Sequence, residues 1–148
     1  VENLRRLTRA LRPIYLEDLG LVTALDMLGR ETGQTSNLVV NFQKTGQERR
    51  LSREVELSLY RIAQEALTNV VKHSSATKAD LLIAFHGDEI RLEVADNGVG
   101  FDKPNSPTDF APNGHFGLLG IHERVDLIGA RLEIESAKEK GTRLTVRL

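Results

Sequence analysis

Arg61-Ile62-Ala63-Gln64-Glu65-Ala66-Leu67-Thr68-Asn69-Val70-Val71-Lys72-His73 is the stretch from which the rest of the chain can be read outward. It closes a helical pattern that Ser52 opens. Ser52 offers an N-cap oxygen, and Glu54 and Glu56 place negative charge against the helix dipole in the first turn. Val55, Leu59, Ile62, Ala66 and Val70 recur at helical spacing and form the stripe that faces a core. Arg61, Glu65, Asn69, Lys72 and His73 form a second stripe at spacings of 4, 4, 3 and 1, a line of acid, amide, base and imidazole. Two readings of that line stand. It is a solvated helix face, or it holds a metal-bound polyphosphate, with Glu65 and Asn69 offering oxygens to Mg²⁺ and Lys72 and His73 facing phosphate oxygens.

Downstream, two strands over 79–86 and 90–96 are joined by Gly87-Asp88, a tight-turn pair. Period-two alternation puts Ile90, Leu92, Val94 and Asp96 on one side of the sheet, so Asp96 points where the core points. A carboxylate there needs a partner, because an unpaired one costs several kcal/mol. It either caps the turn at the strand end or receives a donor such as a purine amino group. The following Asn97-Gly98-Val99-Gly100 removes Cβ atoms where a ligand could approach the backbone. From 97 to 115 come Pro104, Pro107, Pro112 and several Asn, Asp, Ser and Thr without apolar period; structureless loops of this length are uncommon unless they are lids. A helix is predicted from Phe116 or Gly117 to Ile128. Its Gly117-Leu118-Leu119-Gly120 start suits backbone N–H contact with phosphate. A last hairpin spans 131–136 and 142–148 around Gly141.

Upstream, a helix over 20–32 is expected to stop at Gly33. A strand is predicted over 37–43 and a loop over 44–51. Leu4, Leu7, Leu11 and Ile14 form a helix seam that Pro13 is expected to end. Interleaved helices and hairpins give an α+β two-layer sandwich with a mixed, mostly antiparallel sheet packed on helices.

The 148 residues, 40% hydrophobic and 28% charged, suit one globular domain with its own core. The absence of cysteine rules out disulfides, thiol nucleophiles and cysteine zinc sites. A net charge of −1 gives no overall bias toward nucleic acid or anionic lipid, although four arginines against Glu2 leave residues 1–13 at +3. No P-loop signature occurs. Gly98-Val99-Gly100 lacks the third glycine and the following helix of a dinucleotide fingerprint. His73, His86, His115 and His122 show no metal-ligand spacing.

These residues resemble a known family. The 61–73 stretch is similar to the N box of the ATP-binding domain of sensor histidine kinases. Ala95-Asp96-Asn97-Gly98-Val99-Gly100-Phe101 resembles the first glycine box, the segment from Gly114 to Val125 the second, and Gly141-Thr142 the last, all in family order. Leu11-Arg12-Pro13, Leu16-Glu17-Asp18-Leu19-Gly20-Leu21 and Ala24-Leu25 resemble the nitrate-sensor and desaturase-thermosensor subfamily, which phosphorylates LuxR-type response regulators.

The resemblance implies the Bergerat fold of the GHKL superfamily, with an ATP lid over about 101–115. Residues 1–13 would be the end of the second dimerisation and phosphotransfer helix, and 14–148 the catalytic domain. It implies ATP and Mg²⁺ as ligands, and Asp96 as acceptor from the adenine amino group. Asn69 would hold Mg²⁺, with Glu65 organising water or Mg²⁺. Lys72 and His73 would lie near the phosphates, Gly98 and Gly100 would shape the adenine pocket, Gly117, Leu118 and Gly120 would anchor the lid, and Thr142 would support the pocket base.

Expected partners are the chain's own dimerisation domain, in a homodimer, and a LuxR-type response regulator. Neither nucleic acid nor direct membrane contact is expected, and a cytoplasmic location is expected, on the cytoplasmic side where the parent is an inner-membrane sensor. The first residue, Val1, stands inside a helical pattern, which suits a piece of a longer protein; the acceptor histidine is expected outside it. An anti-sigma-factor serine kinase of the same fold and a non-catalytic nucleotide-sensing module are the rivals. The Leu-Arg-Pro leader argues against the first, and the intact Glu65, Asn69, Asp96 and glycine boxes against the second.

Overall fold

Alternating apolar residues on β2 (Lys78–His86) and β3 (Glu89–Asp96) build the centre of the sheet. A computed structural model describes residues 14–100 and 116–148. The helix expected over 1–13 and the lid expected over about 101–115 lie outside the described residues. β2 and β3 pair antiparallel around the turn at Gly87-Asp88, with Leu81 opposite Val94 and Ile83 opposite Leu92. β5 (Thr142–Arg147) pairs antiparallel with β3 and with β4 (Arg131–Ser136). β1 (Val39–Gly46) joins the far edge of β2 in parallel, giving the order β1-β2-β3-β5-β4. This is the two-layer α+β fold with a mixed sheet that the sequence predicts.

The parallel β1–β2 pair needs a long crossover, and α3 (Arg53–Asn69) supplies it. Ser52 caps α3 by accepting the Val55 N–H at 3.3 Å. Leu59, Ile62, Ala63, Ala66 and Leu67 are buried beneath it, against Leu81, Ile83, Leu92 and Val94 of the sheet. α2 (Leu21–Thr35) and α4 (Phe116–Leu127) flank α3 in the same layer; Leu25, Leu28, Ile121 and Val125 complete the core. The buried Glu56 carboxylate receives Arg50 at 3.0 and 3.1 Å and the Leu51 N–H at 3.2 Å, closing the 47–52 loop onto α3. Arg50 also donates to the Glu17 carbonyl of a short helix, α1 (Ile14–Leu19), whose Leu16 is buried.

Three boundaries differ from the sequence reading. Gly33 does not stop α2, which runs on to Thr35. Gly33 is not among the glycines at positive φ, so it forms no left-handed cap, and the hydroxyls of Thr32, Thr35 and Ser36 bond back to carbonyls one turn earlier. β1 extends to Gly46, into the predicted loop, because its pairing with β2 continues through Gly46 opposite Phe85. The long helix ceases to be an α-helix at Asn69 and finishes as a π-helical turn, Val70–Ser74.

Ser52→Ala removes the α3 cap and is expected to cost about 1 kcal/mol of unfolding free energy, read by urea denaturation. An unchanged midpoint would show that water replaces the cap at no cost.

Candidate functional site

The end of α3, the end of β3 and the start of β5 meet around a cavity of about 100 Å³. At ~10–15 Å³ for each water held, that is room for about seven to ten waters or for a small ligand that displaces them. Ala66, Asn69, Val70, His73 and Ser74 line it from the helix. Val94 and Asp96 come from β3, Leu118 from α4, and Thr142 and Leu144 from β5, with Gly100 at the rim. The floor follows from register: Val94 lies opposite Leu144, and Asp96 opposite Thr142. Apolar walls with a single carboxylate suit a flat ring that carries one exocyclic donor.

Asp96 continues the inward side of β3, as its alternation predicts: Ile90, Leu92 and Val94 are buried and Asp96 is half-buried. Its Oδ1 accepts the Gly98 N–H at 2.8 Å, and the Thr142 backbone N–H also bonds to the carboxylate. Burial outweighs both hydrogen bonds and holds the carboxyl above its ordinary pKa. The turn-capping reading of Asp96 is thus observed, and the cap leaves acceptor capacity on the carboxylate.

The glycines of the turn serve a purpose that the sequence reading misplaces. Protein backbone, not a ligand, occupies the space their side chains would take. A Cβ on Gly98 would stand 2.2 Å from the Ser74 carbonyl oxygen and 2.9 Å from Asp96 Oδ1. A Cβ on Gly100, whose φ is +67°, would stand 2.1 Å from the Ala137 carbonyl oxygen. The π-helical turn delivers the Ser74 carbonyl to this point, where it accepts the Val99 N–H at 2.7 Å. Ser74 Oγ donates to the Val70 carbonyl at 2.6 Å and accepts the Ala76 N–H at 3.1 Å, holding the widened turn.

The second helix stripe is not one line. Arg61 is buried and donates to Gln64 Oε1 at 2.8 Å. Glu65 and Asn69 are half-buried, and Lys72 and His73 are exposed on the π turn. Of the candidate site residues, Asn69, His73, Asp96, Gly100, Leu118 and Thr142 line the cavity. Glu65 and Lys72 stand outside its lining, and Gly98 supports Asp96 from behind. Gly117 is in the first turn of α4; a Cβ on Gly120 would meet open space. Sequence reasoning missed Ala66, Val70, Ser74, Val94 and Leu144. Val94 and Leu144 could have been found by setting the β3 alternation against β5, whereas nothing in the sequence signals the π turn that brings in Ser74.

Residues 54–148 match the family described as histidine kinase-, DNA gyrase B-, and HSP90-like ATPase. The chain belongs to this family. It is 35% identical, over 97% of its length, to an uncharacterized sensor-like histidine kinase of Chloroflexus aurantiacus, and spans 25% of that protein. It is 35% identical to the signal transduction histidine-protein kinase/phosphatase DegS of Bacillus subtilis, covering 93% of this chain and 36% of the relative. It is 30% identical to the oxygen sensor histidine kinase NreB of Staphylococcus carnosus, covering 99% and 41%. The chain thus spans well under half the length of these curated relatives.

Among solved structures, the histidine kinase domain of the Erythrobacter litoralis EL346 blue-light activated kinase shares the fold. The TM-score is 0.69 at 19% identity, covering 86% of this chain and 60% of that one. The Acinetobacter baumannii histidine kinase AdeS superposes with a TM-score of 0.67 at 15% identity, over 86% and 62%. These two likenesses speak for the architecture alone.

Two outcomes test the site's construction. Gly98→Ala is expected to cost about 1 to 3 kcal/mol, because a backbone carbonyl must yield to the new methyl group; a chemical melt measures it. The raised Asp96 pKa means that folding favours the protonated carboxyl. That stabilising contribution is complete below the ordinary carboxylate pKa and is lost as pH rises through the higher folded value. Asp96→Asn should remove this part of the pH dependence of the unfolding midpoint; identical pH profiles would contradict it.

Proposed function

We propose that this chain is the ATP-binding catalytic region of a sensor histidine kinase. It binds Mg-ATP and passes the γ-phosphoryl group to a histidine on a dimerisation and phosphotransfer domain, for relay to an aspartate of a response regulator. The observation that carries this reading is Asp96: a half-buried carboxylate in a largely apolar cavity that Asn69 and His73 also line. Membership of the ATPase family and the kinase relatives support it.

Asp96 accepts a hydrogen bond from the adenine amino group, and Val94, Leu144, Ala66 and Val70 exclude water from the ring faces. Asn69 and His73 then lie on the side from which the phosphates leave the cavity, with the exposed Lys72 on the same π turn. Hard oxygen donors suit Mg²⁺, which commonly takes one or two protein ligands and completes its shell with water and phosphate. Asn69, with Glu65 one helical turn earlier acting through water, would hold it, and the ion would neutralise phosphate charge. Among the described residues no cluster of three acidic or histidine side chains exists to bind a metal without the nucleotide.

Gly117, Leu118 and Gly120 anchor the far end of a lid over about 101–115. In the transfer the bond between the γ-phosphorus and the β–γ bridging oxygen breaks, the acceptor imidazole nitrogen takes the phosphoryl group, and ADP leaves. What the protein contributes is positioning and charge.

In the same reading residues 1–13 end the second helix of the dimerisation domain of a homodimer, and 14–148 form the catalytic domain. The Leu11-Arg12-Pro13 leader and Leu16-to-Leu25 pattern favour a LuxR-type response regulator as the final acceptor. No described helix is long and apolar enough to cross a membrane; a cytoplasmic location, under a parent that carries any membrane segment elsewhere, suits this.

Asp96→Asn is expected to weaken ATP binding by about 1.5 to 3 kcal/mol, the scale of a hydrogen bond to a charged group. Unchanged affinity by calorimetry would remove the adenine assignment. The chain alone, given γ-labelled ATP, should stay unlabelled and should label the parent's dimerisation helices supplied in trans. Failure to transfer despite ATP binding would favour a nucleotide-sensing module.

A further inference from the structure

Asp96 is the last residue of β3 paired in the ladder, opposite Ala79 of β2. A carboxylate at the end of a strand ordinarily frays with it. Here the next residue prevents that. Asn97 Oδ1 accepts the Thr77 N–H at 2.9 Å and the Lys78 N–H at 3.0 Å; Asn97 Nδ2 donates to Thr77 Oγ1 at 2.9 Å, and the Asn97 N–H donates to the Lys78 carbonyl at 3.2 Å. The side chain thus extends the β2–β3 pairing one step beyond the backbone ladder. It ties the strand end to the segment that leaves the π turn.

Asp96 is then held from both sides. Behind it, Gly98 bonds to Oδ1 while being wedged against Ser74; ahead of it, Asn97 fixes the chain that sets the direction of the carboxylate. Thr77, Lys78 and Asn97 are all exposed, so water can replace these bonds in the fold. Their value lies in where they hold the neighbouring carboxylate, since a small misplacement of a contacting group lowers binding steeply.

We propose that Asn97 is a positioning residue for base recognition, its side-chain clamp on Thr77 and Lys78 setting the Asp96 carboxylate before the nucleotide arrives. This rests on the reading that Asp96 receives the adenine amino group. It predicts a loss that is specific to the base: Asn97 acts on what Asp96 reads and leaves the phosphate side alone.

The test compares ATP with inosine triphosphate, which carries an oxo group where adenine carries the amino group, using calorimetry on the 148-residue chain. Asn97→Ala should lower ATP affinity about tenfold, as for a hydrogen bond weakened but not abolished, and leave inosine triphosphate affinity unchanged. Thr77→Val, which removes only the hydroxyl that holds the Asn97 amide, should act in the same direction by a smaller factor and covers the case in which Asn97→Ala does not fold. In the Asp96→Asn background, Asn97→Ala should cost nothing further.

Equal losses for both nucleotides would mean a general structural role and overturn the proposal, as would unchanged ATP affinity in both variants. If Asp96→Asn itself leaves the ratio of ATP to inosine triphosphate affinity unaltered, the adenine assignment falls and the proposal falls with it. A ratio that drops in Asp96→Asn but not in Asn97→Ala or Thr77→Val overturns the Asn97 role alone.

Discussion

Everything in this site depends on one carboxylate being kept on the apolar side of a sheet. The β3 alternation makes Asp96 the successor of Ile90, Leu92 and Val94, so its direction is set by packing that extends through the whole core. Desolvation works against the charge, and the Gly98 and Thr142 N–H groups offset that cost only partly. The Gly98 and Thr142 backbone bonds hold the carboxylate there, facing the cavity. Such an acid is poised to gain from a ligand that brings a donor and excludes the remaining water.

Three structural decisions converge on that residue. The crossover helix brings Asn69 and His73 over the end of β3; the π turn lowers the Ser74 carbonyl onto the Val99 N–H; the β4–β5 hairpin closes from the other side, with the Gly141 backbone packed against the Asp96 carbonyl. The last two contacts are made by main chain. This explains why glycines crowd here: they are the residues thin enough for three backbones to meet at one strand end.

How much was legible in the sequence follows from which physics is local. Alternation in β2 and β3, the Ser52 cap and the core stripe of α3 are short-range patterns, and they placed the helices, the hairpins and the inward Asp96. Motif resemblance reached Asn69, His73, Asp96, Gly100, Leu118 and Thr142, all of which line the cavity. What stayed hidden needs partners far away in the chain. Arg61 reads as part of a polar face until its burial is seen. Gly33 reads as a stop until its backbone is seen not to take the left-handed conformation of a cap. The purpose of Gly98 cannot be guessed without knowing that Ser74 arrives on a π turn, since an α-helical continuation would direct that carbonyl elsewhere.

The parallel edge strand bears on how the molecule is assembled in time. β2 and β3 are joined by a two-residue turn and can zip together from contacts close in sequence. β1 precedes both but has no partner until α3 and the π turn have been threaded and β2 exists to receive it. During synthesis β1 therefore leaves the ribosome before β2, the strand that receives its edge, exists. The cavity, by contrast, is lined from β3 and β5, inside the sheet, and β1 at the edge takes no part in it.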